Sequence, residues 1–242
     1  MIEVSTPPSS KTANDGRAYP AETEPHGLRW RLTSRFTARS KARRFNHFMK
    51  TIAPKSTDLV LDVGVIDTTW RSSNFLESAY PWPEQITAVG MEPMPTFQRV
   101  YPAVRFVVAD GRSLLFEDQT FDIGFSNAVV EHVGSRENQR RFVAELVRTC
   151  KTVFIATPNA AFPIDPHTLL PFVHWLPRGL RHPILRITGN RKWASEDALN
   201  PLRAGELEKM FPSGVSVRVE RQRVLGMTTV LMVVVTHRDG PG

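Results

Sequence analysis

One cysteine, Cys150, stands in 242 residues. That excludes an internal disulfide and any zinc site built on several thiolates, and it suits a reducing compartment. Long apolar runs are missing too. The longest, Val230 to Val235, is far short of the roughly 20 residues needed to cross a bilayer. No basic start leads into an apolar stretch near the N-terminus, so no signal peptide is expected. The expectation is a soluble, cytoplasmic protein, at most peripheral to the inner face of a membrane. Internal repeats are absent. Acidic residues are absent from one stretch, where Arg29, Arg31, Arg35, Arg39, Lys41, Arg43, Arg44 and Lys50 follow one another. Much of the net charge of +7 lies there. Nucleic acid, an anionic surface or an anionic substrate would each suit it, and so would a plain solvated helix face.

What is present reads as an alternation of strands and helices. Residues 1 to 27 are polar and proline-rich and are expected to be a disordered tail. From 28 to 242 a single domain is expected. Phe36, Phe45, Phe48, Met49 and Ile52 recur at helical spacing before Pro54, predicting one or two helices. Strands are predicted at 59–63, 86–91, 104–109, 121–126 and 152–157, with a helix over 137–150 carrying Phe142, Val143, Leu146 and Val147 on one face. Crossovers of this length favour a parallel sheet covered on both faces. Near the C-terminus, 215–222 and 228–236 read as a hairpin joined at Leu225-Gly226-Met227. Between the fifth strand and this hairpin, residues 161 to about 200 are too proline-broken for one long helix and too long for a plain loop. They are expected to be a helical cap inserted into the sheet domain.

The chemistry gathers at strand ends. Asp62, Glu92, Asp110 and Asn127 terminate or follow the first four predicted strands. Ligands of parallel sheets sit at the carboxyl ends of the strands, and a row of polar ends suits a ribose and a base. Each residue alone signals little, since Asp and Asn also favour turns.

The segments L-V-L-D-V-G, I-T-A-V-G-M-E, V-R-F-V-V-A-D-G-R-S-L-L-F, F-D-I-G-F-S-N-A-V-V-E-H-V and F-I-A-T-P-N resemble class I S-adenosylmethionine-dependent methyltransferases. The likeness is to the type 11 branch, which acts on small molecules, and it runs from about Leu59 to Pro158. It implies a doubly wound, mostly parallel seven-stranded α/β sheet of Rossmann-like methyltransferase type with an antiparallel C-terminal hairpin. It implies S-adenosyl-L-methionine as cofactor, with Asp62, Val63 and Gly64 under its methionine part. Glu92 would serve the ribose, Asp110 and Gly111 the adenine, and Asn127 the reaction pocket. The family's ribose acid can also stand two places earlier, where this chain has Gly90. The turn after the first strand lacks further glycines, having Ile66 and Thr68 instead. Glycines there let backbone approach a pyrophosphate. This cofactor has no phosphate, so the loop is free to vary; a loop that no longer binds is the other reading.

Methyl transfer to oxygen requires removal of a proton, for which histidine is suited. His132 follows the fourth strand, and His167 and His174 lie in the cap. Each is a candidate, against structural roles in packing or hydrogen bonding. His, Asp and Glu show no metal-binding spacing along the chain, so no metal is expected. The acceptor is expected to be a small or lipid-linked amphipathic molecule, with apolar cap residues interleaved with Arg178, Arg181 and Arg186. The alternative is a non-catalytic module of the same fold that contacts nucleic acid or anionic surfaces through Arg29 to Lys50. No RNA-reading run supports that alternative.

Overall fold

Strands form where short apolar, β-branched runs are bounded by Pro, Gly, Asp or Asn, and those runs assemble one sheet. The computed structural model describes residues 28–70 and 73–238; the tail expected over 1–27 lies outside the described residues. Strands β1 (Val60–Val63), β2 (Ile86–Gly90), β3 (Arg105–Val108), β4 (Phe121–Asn127), β5 (Cys150–Pro158), β6 (Val215–Val224) and β7 (Met227–His237) stand in the order β3-β2-β1-β4-β5-β7-β6. The first five are parallel, while β7 runs antiparallel to both β5 and β6. The expected fold is therefore the observed one. β1 is flanked by β2 and β4, so the strand order reverses there and a crevice opens at the carboxyl edge.

Helices cover both faces. Helix α1 (Leu28–Ile52) is a single helix that ends before Pro54. Its Phe48 is fully buried, edge-on to Phe125 at 5.1 Å and to Phe154 at 5.4 Å between ring centroids. Truncating such a buried ring to alanine costs about 3–5 kcal/mol. Short helices α2 (Phe75–Ala79) and α3 (Pro95–Val100) join this layer through Phe75 and Phe97. On the opposite face lies α4 (Arg136–Thr149), begun by Ser135, whose side chain accepts from the Asn138 amide. Its Phe142, Val143, Leu146 and Val147 are buried against β1, β4 and β5, as helical spacing dictates. The hairpin turns on Leu225 and Gly226, both at positive φ (49° and 81°), the geometry that matches the twist of the flanking strands.

Residues 161–200 contain a 3-10 turn at Val173–Trp175, helix α5 (Arg178–Ile187) and a second 3-10 turn at Arg191–Trp193. This segment has a small core of its own, Leu185, Trp193, Ala194 and Leu199. Phe172, Trp175, Leu180 and Ile187 remain exposed. Helix α6 (Ala204–Glu208) returns the chain to β6. At the start of α4, Arg136 donates to the Asn200 and Pro201 carbonyls and to Glu206. It ties the end of the cap segment to α4.

Candidate active site

The first strand delivers Asp62, Val63 and Gly64 to the crevice. Gly64 has φ +108°, and a Cβ there would lie 2.2 Å from Cγ2 of Val129. Only glycine permits this approach. Gly64 N–H donates to the Val89 carbonyl at 2.9 Å, so the turn after β1 is pinned to β2 although it lacks further glycines. Asp62, Gly64, Asn74, Phe75 and Asn127 line one narrow cleft, with free space of about 20 Å³. A nucleoside needs more room than this, so lining side chains must give way on entry. Asn74 braces the turn after β1, its side chain accepting from the Ile66 amide and donating to the Ile66 carbonyl.

The cleft is electrostatically unbalanced. Asp62 and Glu77 are both buried, with their carboxyl groups within side-chain hydrogen-bonding reach of one another. Burial pushes the Asp62 carboxyl well above the usual range, and the neighbouring Glu77 charge pushes it further. Burial raises Glu77 as well. Two desolvated carboxylates with no cation paired to them among the described residues are costly. A ligand bearing an ammonium and a sulfonium offers the missing positive charge, so the residues fit S-adenosylmethionine.

Across the cleft, Arg44 of α1 donates from Nη1 to Asn127 Oδ1 at 2.5 Å. Arg44 is itself buried, with its guanidinium 5.8 Å from the Phe75 ring centroid. Burial lowers its pKa to about 10, partly countered by Glu131. Lys41 follows it inward, lowered to about 8 by burial and by Arg44. The basic helix thus turns part of its charge into the protein, and a uniform solvated face is ruled out.

The other strand-end residues lie along the same edge but do not line this cleft. Glu92, two residues beyond β2, is exposed. Asp110, two beyond β3, is held by Arg112 through Nε at 3.0 Å and Nη2 at 2.6 Å. Those bonds draw its carboxyl below the usual range despite partial burial. Gly111 is needed for packing, since a Cβ would meet Phe142 at 2.7 Å and Val63 at 2.8 Å.

A second cluster stands where β4 gives way to the 3-10 turn Val130–His132. Glu131 is fully buried; its Oε2 accepts from Thr157 Oγ1 at 2.9 Å, and its Oε1 has no partner. His132 Nδ1 lies 2.7 Å from the Ala198 carbonyl, and its Nε2 lies 3.0 Å from Nε2 of His167. Trp193 walls both rings, with centroids at 5.4 and 5.0 Å. Burial lowers the His132 pKa. Burial also depresses His167, but Asp165 and Glu131 outweigh it and leave it raised. His174 lies apart, its Nε2 3.1 Å from the Ala160 carbonyl. The expectation that His, Asp and Glu do not converge is corrected here. Side-chain ligand atoms of Glu131, His132 and His167 all lie within 4.8 Å of one another. Spacing along the chain hides this because the cap folds back across 35 residues.

Arg44, Asn74, Glu77, Glu131 and Trp193 were not singled out from the sequence as site residues. Arg44 had a legible signal: it lies four residues before Phe48 and eight before Ile52, on the same helical face. The others become neighbours only through tertiary packing.

A family model described as "Methyltransferase domain" matches residues 61–153. A search of curated proteins finds no match. Among solved structures, the chain is similar to magnesium protoporphyrin IX methyltransferase from Synechocystis PCC 6803 with bound S-adenosylhomocysteine. That match has a TM-score of 0.55 and 11% identity, and covers 90% of each chain. A protein from Pyrococcus horikoshii OT3 matches with a TM-score of 0.54 and 17% identity, over 92% of this chain and 97% of that one. Geranyl diphosphate C-methyltransferase from Streptomyces coelicolor A3(2), in complex with Mg2+, geranyl diphosphate and S-adenosylhomocysteine, matches at 0.54 and 10%, over 91% and 90%. At these identities the likeness is one of fold. Residues 61–153 thus match a methyltransferase domain, and the sheet order and carboxylate-lined crevice are consistent with a fold of that kind taking S-adenosylmethionine.

Proposed function

We propose that the protein methylates an oxygen of a small, amphipathic or lipid-linked acceptor received beneath the 161–200 cap. The observation that carries this reading is the His132–His167 pair, held by the cap just beyond the cofactor edge of β4. When bound, S-adenosylmethionine supplies a methyl group on a sulfonium, so the protein need not make an electrophile. The Asp62 and Glu77 carboxylates hold its positive end, and Gly64 allows it close backbone approach. Arg44 fixes Asn127 at the reaction side. Buried imidazoles beside the acceptor take up the hydroxyl proton. Transfer to the acceptor oxygen would leave the cofactor as a neutral sulfide, so the part left to these residues is alignment more than oxyanion stabilisation.

Phe172, Trp175, Leu180 and Ile187 beside Arg178 and Arg186 give the cap an apolar, basic outer surface. That supports an amphipathic acceptor, met in the cytoplasm or at the inner face of a membrane. The inward turn of Arg44 and Lys41 weakens the nucleic-acid alternative. The test is a radiolabelled methyl-transfer assay on extract of the native organism, followed by mass identification of the product. An oxygen-methylated amphipathic product is expected. A methylated carbon or nitrogen product would sink the oxygen assignment, and absence of transfer despite cofactor binding would favour a non-catalytic module.

A further inference from the structure

We propose that Glu131, His132 and His167 form a site for a divalent transition-metal ion, with Zn2+ the best match to the donor set. The catalytic consequence rests on the methyltransferase reading; the binding of the ion does not.

Hydrogen bonding around the rings sets their tautomers. His132 Nδ1 lies 2.7 Å from a carbonyl oxygen, which can only accept, so the proton sits on Nδ1 and Nε2 carries a lone pair. His167 Nδ1 makes no hydrogen bond but stands 3.4 Å from the Asp165 carboxylate, whose charge favours a proton on that nitrogen; in the neutral ring this leaves Nε2 with a lone pair as well. The two Nε2 atoms nevertheless stand 3.0 Å apart. Two lone pairs at that distance repel unless a proton or a cation lies between them. The third donor is Glu131 Oε1, buried and without a hydrogen bond, while Thr157 holds the other oxygen. Outer hydrogen bonds that orient a ligand and leave one donor atom bare are the common support of metal sites.

Distances separate a cation from a shared proton. Oε1 lies 4.0 Å from His132 Nε2 and 3.9 Å from His167 Nε2, too far for the carboxylate to hydrogen-bond either nitrogen. A point on the Oε1 side of the pair lies about 2.1 Å from each Nε2 and about 2.2 Å from Oε1, matching usual zinc–nitrogen and zinc–oxygen lengths. Two imidazoles and a carboxylate suit zinc and its neighbours better than magnesium or calcium, which prefer oxygen. Three protein ligands also leave coordination open, as in catalytic zinc sites. The side chains of His132 and His167 remain 17% and 15% exposed, so an entry path exists. With the ion bound, an open position would take an acceptor hydroxyl and lower its pKa so that its proton passes to solvent, the imidazoles serving as ligands; proton uptake by the imidazoles then belongs to the metal-free protein.

The test uses tag-free, full-length protein stripped with chelator and titrated with Zn2+ by calorimetry and with Co2+ by absorption spectroscopy. One equivalent should bind, and Co2+ should give visible bands of low coordination number. Glu131→Gln and His167→Gln should each weaken binding by at least about 100-fold, with folding checked by circular dichroism. His167→Cys should retain Co2+ and add a near-ultraviolet thiolate band, which a merely structural histidine would not produce. No stoichiometric binding at about 100 µM metal, or binding unchanged in both Gln variants, overturns the proposal in favour of a proton-sharing pair. S-adenosylmethionine titrated into the same stripped protein reports separately on the methyltransferase reading. Cofactor binding without metal binding sinks only the ion, and the reverse sinks only the function.

Discussion

Arg44 and Asn127, 83 residues apart, are joined by a 2.5 Å hydrogen bond from guanidinium to amide oxygen. This bond carries the N-terminal helix into the cofactor crevice and makes α1 part of the site. Arg44→Met should therefore weaken S-adenosylmethionine binding about tenfold, the ~1.4 kcal/mol expected when a buried acceptor loses a charged donor. Arg44→Lys should not restore affinity, since an ammonium cannot reproduce the guanidinium geometry. Calorimetric titration decides this; unchanged affinity in Arg44→Met would remove the helix from the site.

The Asp62–Glu77 pair sets a pH dependence. Both folded-state pKa values are raised by burial, so the folded chain holds more protons than the unfolded one above the ordinary carboxylate range. The stability this contributes is fully present below that range and is lost as pH rises through the raised values. Thermal melts should show this decline in the wild type and a flatter profile in Glu77→Gln. Binding of a cationic ligand should release protons, measurable by calorimetry in buffers of different ionisation enthalpy. Equal proton release in wild type and Glu77→Gln would contradict the assignment.

Gly64 combines positive φ with contact against Val129. Gly64→Ala should lose about 1–3 kcal/mol of stability from strain and overpacking, together with most cofactor affinity. Gly64→Ala with Val129→Ala relieves the contact but not the backbone strain, so partial recovery is expected in a denaturant titration.

On the cap surface, Phe172→Ser, Leu180→Ser and Ile187→Ser combined should leave the melting temperature within about 2 °C, because exposed side chains contribute little to stability. KM for an apolar acceptor should rise several-fold while kcat holds. An unchanged KM would mean that these side chains do not meet the acceptor.

Much of the fold was legible because its signals are local. Apolar, β-branched runs bounded by Gly, Asp, Asn or Pro marked most strands of the sheet, and Phe142, Leu146 and their neighbours marked α4. The crevice was legible as a row of strand ends, but not which ends share a cleft. Asp110 could not be known to hold Arg112, nor Glu77 to face Asp62, because each depends on side-chain placement within packed loops. The Glu131–His132–His167 cluster was hidden for a related reason. Its third member arrives from an insertion whose path depends on docking of Trp193 and Leu185, and no periodicity encodes that.

The placement of β7 carries a consequence for synthesis of the chain. Of the seven strands this one is made last, yet it lies inside the sheet, with β5 on one side and β6 on the other. Until the ribosome releases it, the long edge of β5 is open to pairing with any extended segment nearby. A chain cut before β7 would carry all the crevice residues and still present a sticky, half-closed sheet. A late strand thus guards a pocket built almost entirely by elements that precede it.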